Sequence, residues 1–161
     1  MNATAARIHH APAGLVAAYR ARHPQATDGE LRSAILGDAL FGNGTRRLAD
    51  VNATATATSG ACTYAYEFAW RSNALHGQLG ATHTTHLPQL HGPHGPHALL
   101  GTGIPPADLA RRMHAAWTSF ARIGDPGWDK YDTERRATMR IAEDWTLTYD
   151  PRAAERQAWH H

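Results

Sequence analysis

In the stretch YAYEFAW (64–70) every second residue is aromatic: Tyr64, Tyr66, Phe68 and Trp70 alternate with Ala65, Glu67 and Ala69. A period of two is the signature of a β-strand, with the four rings on one face and Glu67 on the other, solvent-facing unless an arginine covers it. So large an aromatic face needs a second layer against it. Further on, ADLARRMHAAWTSFARIG (107–124) places Leu109, Met113, Ala116, Trp117, Phe120 and Ile123 at helical spacing, with Pro105-Pro106 opening the helix and Gly124 closing it. Met113, Trp117 and Phe120 read as core. One strand followed by a long helix predicts a piece of an α/β sheet rather than a closed all-α or all-β domain.

The flanking segments fill out that picture. Residues 14–59 are Ala-rich and read as helical. Thr27-Asp28-Gly29-Glu30 has the form of a capping box, and Leu31, Ala34, Ile35 and Ala39 follow on one face. Gly42-Asn43-Gly44 is expected to break that helix, with a second one starting near Thr45 and carrying Leu48, Val51 and Ala55. After Asp125-Pro126-Gly127-Trp128, the segments ATMRI and WTLTY flank Ala142-Glu143-Asp144 as a β-hairpin. Asp150-Pro151 is expected to cap a short final helix.

Composition narrows the function classes. The 161 residues read as one domain, 1–161, interrupted by a His/Gly/Pro-rich loop at 76–104. Sixteen Lys+Arg against fourteen Asp+Glu leave only +2, and the arginines form pairs rather than a basic run, so no nucleic-acid partner is expected. No apolar run approaches the roughly 20 residues of a membrane span, so no membrane partner is expected either. The opening MNATAARIHHAPAGLVAAYRAR has one short apolar patch broken by Pro12 and Gly14 and does not read as a signal peptide. The chain is therefore expected in the cytoplasm. Cys62 is the only cysteine, which excludes an intrachain disulfide and a thiolate zinc cluster, and it reads as a small buried residue beside the strand.

HGQLGATHTTHLPQLHGPHGPH (76–97) holds His76, His83, His86, His91, His94 and His97, half of the twelve histidines. Within it His91, His94 and His97 recur at every third position, which admits weak binding of Zn or Ni. A structural zinc site wants four fixed ligands, usually with sulfur among them, and a Gly-Pro-interrupted loop fixes none. The solvated loop is the favoured reading, and no metal or organic cofactor is expected.

Several segments carry a resemblance to a known family. Taken in order, YRARHP (19–24), GDALF (37–41), YAYEFAWRS (64–72), LGATHTTHLP (79–88), AWTSFARIGDPGWDKYDTERRATM (116–139) and DPRAAERQAW (150–159) resemble the C-terminal part of the type-B carboxylesterases. These are α/β-hydrolases related to para-nitrobenzyl esterases and cholinesterases. LGATHTTHLP is similar to the family's Leu-Gly-Ala-x-His-x-x-Glu-Leu-Pro motif, with His86 where an acid is usual. The helix is similar to its Trp-x-x-Phe-Ala-x-x-Gly-x-Pro stretch. The resemblance implies a partial α/β-hydrolase fold, ester hydrolysis through an acyl-serine, and His83 as the general acid/base. The chemistry suits an imidazole, which near neutral pH can take the serine proton and return it to the leaving alcohol.

The rest of that machinery is missing. The nucleophile of such an enzyme sits in a Gly-x-Ser-x-Gly elbow, and none of Ser33, Ser59, Ser72 and Ser119 has that context. Of the acids upstream, Asp28, Glu30 and Asp38 match no catalytic motif, and a helix face or cap explains each. The glycine-rich oxyanion loop is absent as well. The sequence therefore reads as the C-terminal fragment of a carboxylesterase, inactive alone. The alternatives are half of a split esterase, which acts on a small ester once a separate N-terminal esterase polypeptide completes it, or a histidine-rich metal-binding or interaction module.

Overall fold

A computed structural model describes residues 14–77, 80–81 and 106–159. The aromatic alternation yields strand β1 (Ala65–Phe68), parallel to β2 (Ala137–Ile141), which in turn runs antiparallel to β3 (Thr146–Tyr149). The expected hairpin is thus β2–β3, and β1 lies at one edge of the three-stranded sheet formed by the described residues. The layer that the rings need is α4 (Ala107–Ile123). Trp70, Leu109, Met113 and Ile141 make a buried core there, with Phe68, Trp117, Met139 and Trp145 packed against it. Tyr66 meets Trp117 edge to face at 4.9 Å and Tyr64 meets Phe120 at 5.9 Å, which sets positive ring edges on negative faces. Phe120, expected in the core, is about half exposed and Ile123 is 74% exposed, because the last turn of α4 runs past that core.

The other described helices are α1 (Leu15–Arg22), α2 (Asp28–Gly37) and α3 (Asn43–Thr56), which precede β1, and α5 (Ala153–Ala158), which follows β3. The capping box forms as read: the Thr27 hydroxyl accepts the Glu30 N–H at 3.2 Å, and the Glu30 carboxylate accepts the Thr27 N–H at 2.8 Å. Leu31 and Ile35 then pack on Leu15 and Tyr19, with Ala158 and Trp159 of the chain's far end against them.

The glycines at 42–44 do not break the helix. A π-helical turn, Asp38–Gly42, joins α2 directly to α3, and Gly42 keeps right-handed helical angles (φ −60°, ψ −42°). Glycine is needed there for room rather than for a bend. A Cβ on Gly42 would lie 2.0 Å from Asp38 Oδ1. Asp38 is 4% exposed, and its carboxylate accepts the Tyr19 hydroxyl and pairs with Arg46 at 3.2 Å and with Arg152 at 2.8 Å. The Trp159 indole N–H donates to the Tyr19 oxygen at 3.0 Å, and Arg22 pairs with the buried Glu155 at 3.1 Å. The segments 19–24, 37–41 and 150–159 therefore meet in one buried polar hub.

Two smaller expectations are corrected. Cys62 is exposed, because it sits in the loop ahead of β1 and not under it. Asp150 does not cap α5: its backbone is left-handed (φ 43°), its carboxylate accepts two bonds from Arg156 at 3.2 and 2.6 Å, and Arg152 occupies the cap position. Leu48 and Val51 lie on a helix that has no buried residue. Glu67 lines a groove that Arg136 and Arg152 line as well.

Two outcomes follow for stability. Gly42→Ala drives a methyl into the Asp38 carboxylate and is expected to cost roughly 2 kcal/mol or more, read as a lower urea midpoint. Gly44→Ala has nothing within 4 Å of its methyl and is expected to stabilise by up to about 1 kcal/mol. Burial, reinforced by hydrogen bonds to Asp38 and Asp50, holds the Tyr19 and Tyr131 hydroxyls well above the usual tyrosine range. Their contribution is whole below the unfolded value near 10 and is lost as pH rises toward the folded values. The denaturation midpoint should therefore hold to about pH 9.5 and fall above about pH 10. The Tyr19→Phe, Tyr131→Phe double variant should flatten that fall.

Candidate active site

β1 and β2 run parallel and deliver their carboxyl ends to the same side of the sheet, the side where open α/β sheets hold their ligands. Trp70, just past β1, is buried against α4 and fixes that end. The chain then makes a closed excursion. The Ser72 N–H donates to the Gly80 carbonyl at 3.1 Å, so that these two residues form an isolated antiparallel bridge. The Ser72 oxygen accepts the Ala74 N–H at 3.0 Å, and the Gly77 N–H donates to the Asn73 carbonyl at 3.1 Å.

Reversing direction within so few residues requires left-handed backbone. Leu75 (φ 52°) and His76 (φ 57°) adopt it, at about 1–2 kcal/mol each for an L-residue. Gly80 adopts it too (φ 63°), and a Cβ there would stand 3.4 Å from the Arg71 guanidinium. The glycine of LGATH thus answers a backbone requirement, since a Cβ at that distance would be in ordinary contact. With Ser72, Ala74 and Gly80 buried, the excursion is a clamp that holds the chain at Ala81, two residues ahead of His83.

His83 itself lies outside the described residues, as do His86, His91, His94 and His97, including the three that read as a weak metal site. His76 is exposed on the excursion. Among the described residues no three His, Cys, Asp or Glu side chains gather as metal ligands.

Each serine has a structural context of its own. Ser72 is the clamp, and Ser33 is exposed on α2. Ser59 closes a turn after α3, donating to the Thr56 carbonyl and accepting the Ala61 N–H. Ser119 on α4 donates to the Asp125 carbonyl at 2.6 Å. None stands at a strand-to-helix elbow. The acids are engaged as well, Asp28 and Glu30 in the first turn of α2 and Asp38 in the hub. The described scaffold can mount a histidine loop, and it offers neither nucleophile nor orienting acid. Sequence reasoning did not find the clamp, since no local pattern ties Ser72 to Gly80. The hub had a signal in the i, i+4 spacing of Asp38 and Gly42.

Comparison with known proteins agrees with this geometry. Residues 13–159 match the profile of the carboxylesterase family. The crystal structure of a carboxylesterase from Geobacillus stearothermophilus at pH 6.2 superposes with a TM-score of 0.76, at 31% identity over 95% of this chain. A thermophilic PNB esterase gives 0.71 at 22% identity over 98% of the chain. An esterase from the anaerobe Clostridium hathewayi, described as able to hydrolyse aliphatic aromatic polyesters, gives 0.65 at 21% over 91%. At those lower identities the likeness speaks for the fold. The chain spans only 33%, 33% and 29% of the lengths of these three proteins. With its resemblances in order along the chain and its partial α/β-hydrolase fold, this chain belongs to the carboxylesterase family, as a C-terminal part of it.

Proposed function

We propose that this chain carries the general acid/base of a carboxylic ester hydrolase, His83, and hydrolyses nothing by itself. The observation that supports this is family membership over 13–159, with LGATH (79–83) running straight on from the Ser72–Gly80 clamp. In the completed enzyme His83 takes the serine proton as the hydroxyl attacks the ester carbonyl, and then gives it to the departing alcohol. Water next enters and attacks the acyl carbonyl as its proton passes to the same imidazole, which returns that proton to the serine oxygen as the acid leaves. The serine, the acid that orients His83 and the N–H groups that hold the oxyanion come from a separate N-terminal esterase polypeptide. The substrate class is a small carboxylic ester, and the reaction as written uses no cofactor.

Alone, the chain is expected to hydrolyse p-nitrophenyl acetate no faster than its His83→Ala variant. Paired with the N-terminal portion of a carboxylesterase, it should acquire turnover that His83→Ala lowers by about 10⁴-fold or more. A His83-dependent rate from the chain alone would overturn its inertness. A paired rate indifferent to His83→Ala would overturn the role of that histidine.

A further inference from the structure

The geometry points to a binding site separate from the His83 end: a hollow between β1, α4 and the turn after α4 that takes one neutral, ring-sized aromatic molecule. Tyr64 and Tyr66 supply one wall, Trp117 and Phe120 of α4 the second, and Trp128 the third, with Ala116 also lining it. The hollow measures about 150 Å³. An apolar cavity of about 150 Å³ is large enough to take up benzene, and pockets for drug-sized ligands begin at roughly twice that. A single ring fits, and a fused or branched ligand does not.

The walls are fixed before any ligand arrives. The Ser119 hydroxyl donates to the Asp125 carbonyl at 2.6 Å, and the Gly127 N–H donates to the Asp125 carboxylate at 2.7 Å. Those bonds hold the turn that carries Pro126 and Trp128 against α4. Beyond the turn, the Tyr131 N–H donates to the Thr63 carbonyl at 2.7 Å and ties the same segment to the head of β1. The rings then brace one another. Trp128 stands nearly perpendicular to Tyr64, with centroids 6.5 Å apart, and tilts against Trp117 at 6.4 Å. It also meets Trp145 at 6.0 Å, and the Arg112 guanidinium sits 4.7 Å over that ring. A ligand that meets preformed walls loses less freedom in ordering them.

Chemistry selects the guest. Among the described residues that line the hollow none carries a carboxylate, an ammonium or a guanidinium, so a charged ligand would leave water without gaining a partner. A cation could still bind if ring faces were turned inward. However, Tyr66 and Trp117 at 4.9 Å, and Tyr64 and Phe120 at 5.9 Å, engage faces with each other's edges. Walls at such steep angles suit a flat neutral ring, which lays its edge on one and its face on another. Tyr66 and Phe120 are still 43% and 48% exposed, which leaves apolar area for that ring to cover. Tyr64 precedes Trp70 by six residues, about 20 Å of extended chain, so the hollow is far from the Ser72–Gly80 clamp. Its occupant is not the ester of the proposed reaction, and the site stands or falls independently of His83.

The test uses the full chain with fluorobenzene as probe, read by fluorine NMR relaxation and by quenching of tryptophan fluorescence. The wild-type chain is expected to bind it saturably, with Kd about 1 mM or tighter. Toluene should displace the probe, whereas benzoate and tetramethylammonium at the same concentration should not. Ala116→Leu, which places a larger side chain in the hollow, and Phe120→Ala, which removes a wall, should each weaken binding by roughly tenfold or more. His83→Ala and Ile123→Ala, the latter 74% exposed and outside the hollow, should bind like wild type. Lack of saturable binding by the wild-type chain overturns the site whatever the variants do. Binding that survives both Ala116→Leu and Phe120→Ala places the probe elsewhere and overturns it too. Displacement by benzoate or tetramethylammonium overturns the neutral class of ligand. Self-association that Phe120→Ala abolishes and toluene does not disperse would put a second copy in the hollow and likewise overturn the inference.

Discussion

The buried Asp38 carboxylate is the interaction on which the helical layer depends. It meets Arg46 of α3 and Arg152 at the head of α5, and it receives the hydroxyl of Tyr19 from α1. Burying these charges is unfavourable taken singly, and only their mutual pairing makes the arrangement tolerable. What the hub provides is uniqueness of geometry. Each of its groups has an angular requirement, so α1, α3 and α5 have one relative placement in which all are satisfied. The π turn is the local adjustment that makes this possible, because it seats Asp38 inward while the helix continues past Gly42.

The carboxyl end of β1 is organised differently, by backbone rather than by charge. Ser72 and Gly80 tie the chain into a small ring at the carboxyl end of β1, and Trp70 nails that end to α4. A general base must stand within hydrogen-bond reach of the atom that it serves. A loop that started from a loose strand end could not meet that demand. The clamp therefore gives the chain at Ala81 a fixed starting point, the structural half of what the proposed role of His83 requires.

Much of this was legible in the residues, and the failures have physical causes. The alternation at 64–70, the helix from 107, the capping box and the hairpin are local patterns, and local patterns decided those elements. Gly42 misled because glycine serves both as a helix breaker and as the residue that leaves space, and only the partner across the turn tells which. Asp38, Arg152 and Trp159 could not be joined from sequence, since their bonds to hub partners span 114 and 140 residues. Phe120 and Ile123 have apolar helical spacing, but spacing cannot tell a face that meets this chain's own core from one left outside it. At the site, the assignment of His83 rests on its motif, and the clamp ahead of it came only from the fold.

The two long-range bonds of the hub also bear on the order in which the molecule is made. Tyr19 waits for Trp159, and Asp38 for Arg152, so α1 and α2 meet these partners only once the segment carrying α5 has been made. Until then a carboxylate meant for burial has only Arg46 and the Tyr19 hydroxyl for company. The sheet side needs nothing later than β3. Synthesis from the amino end therefore lets α1 and α2 settle after the sheet that follows them, and a nascent chain stalled short of Arg152 holds a formed aromatic layer beside an open helical one.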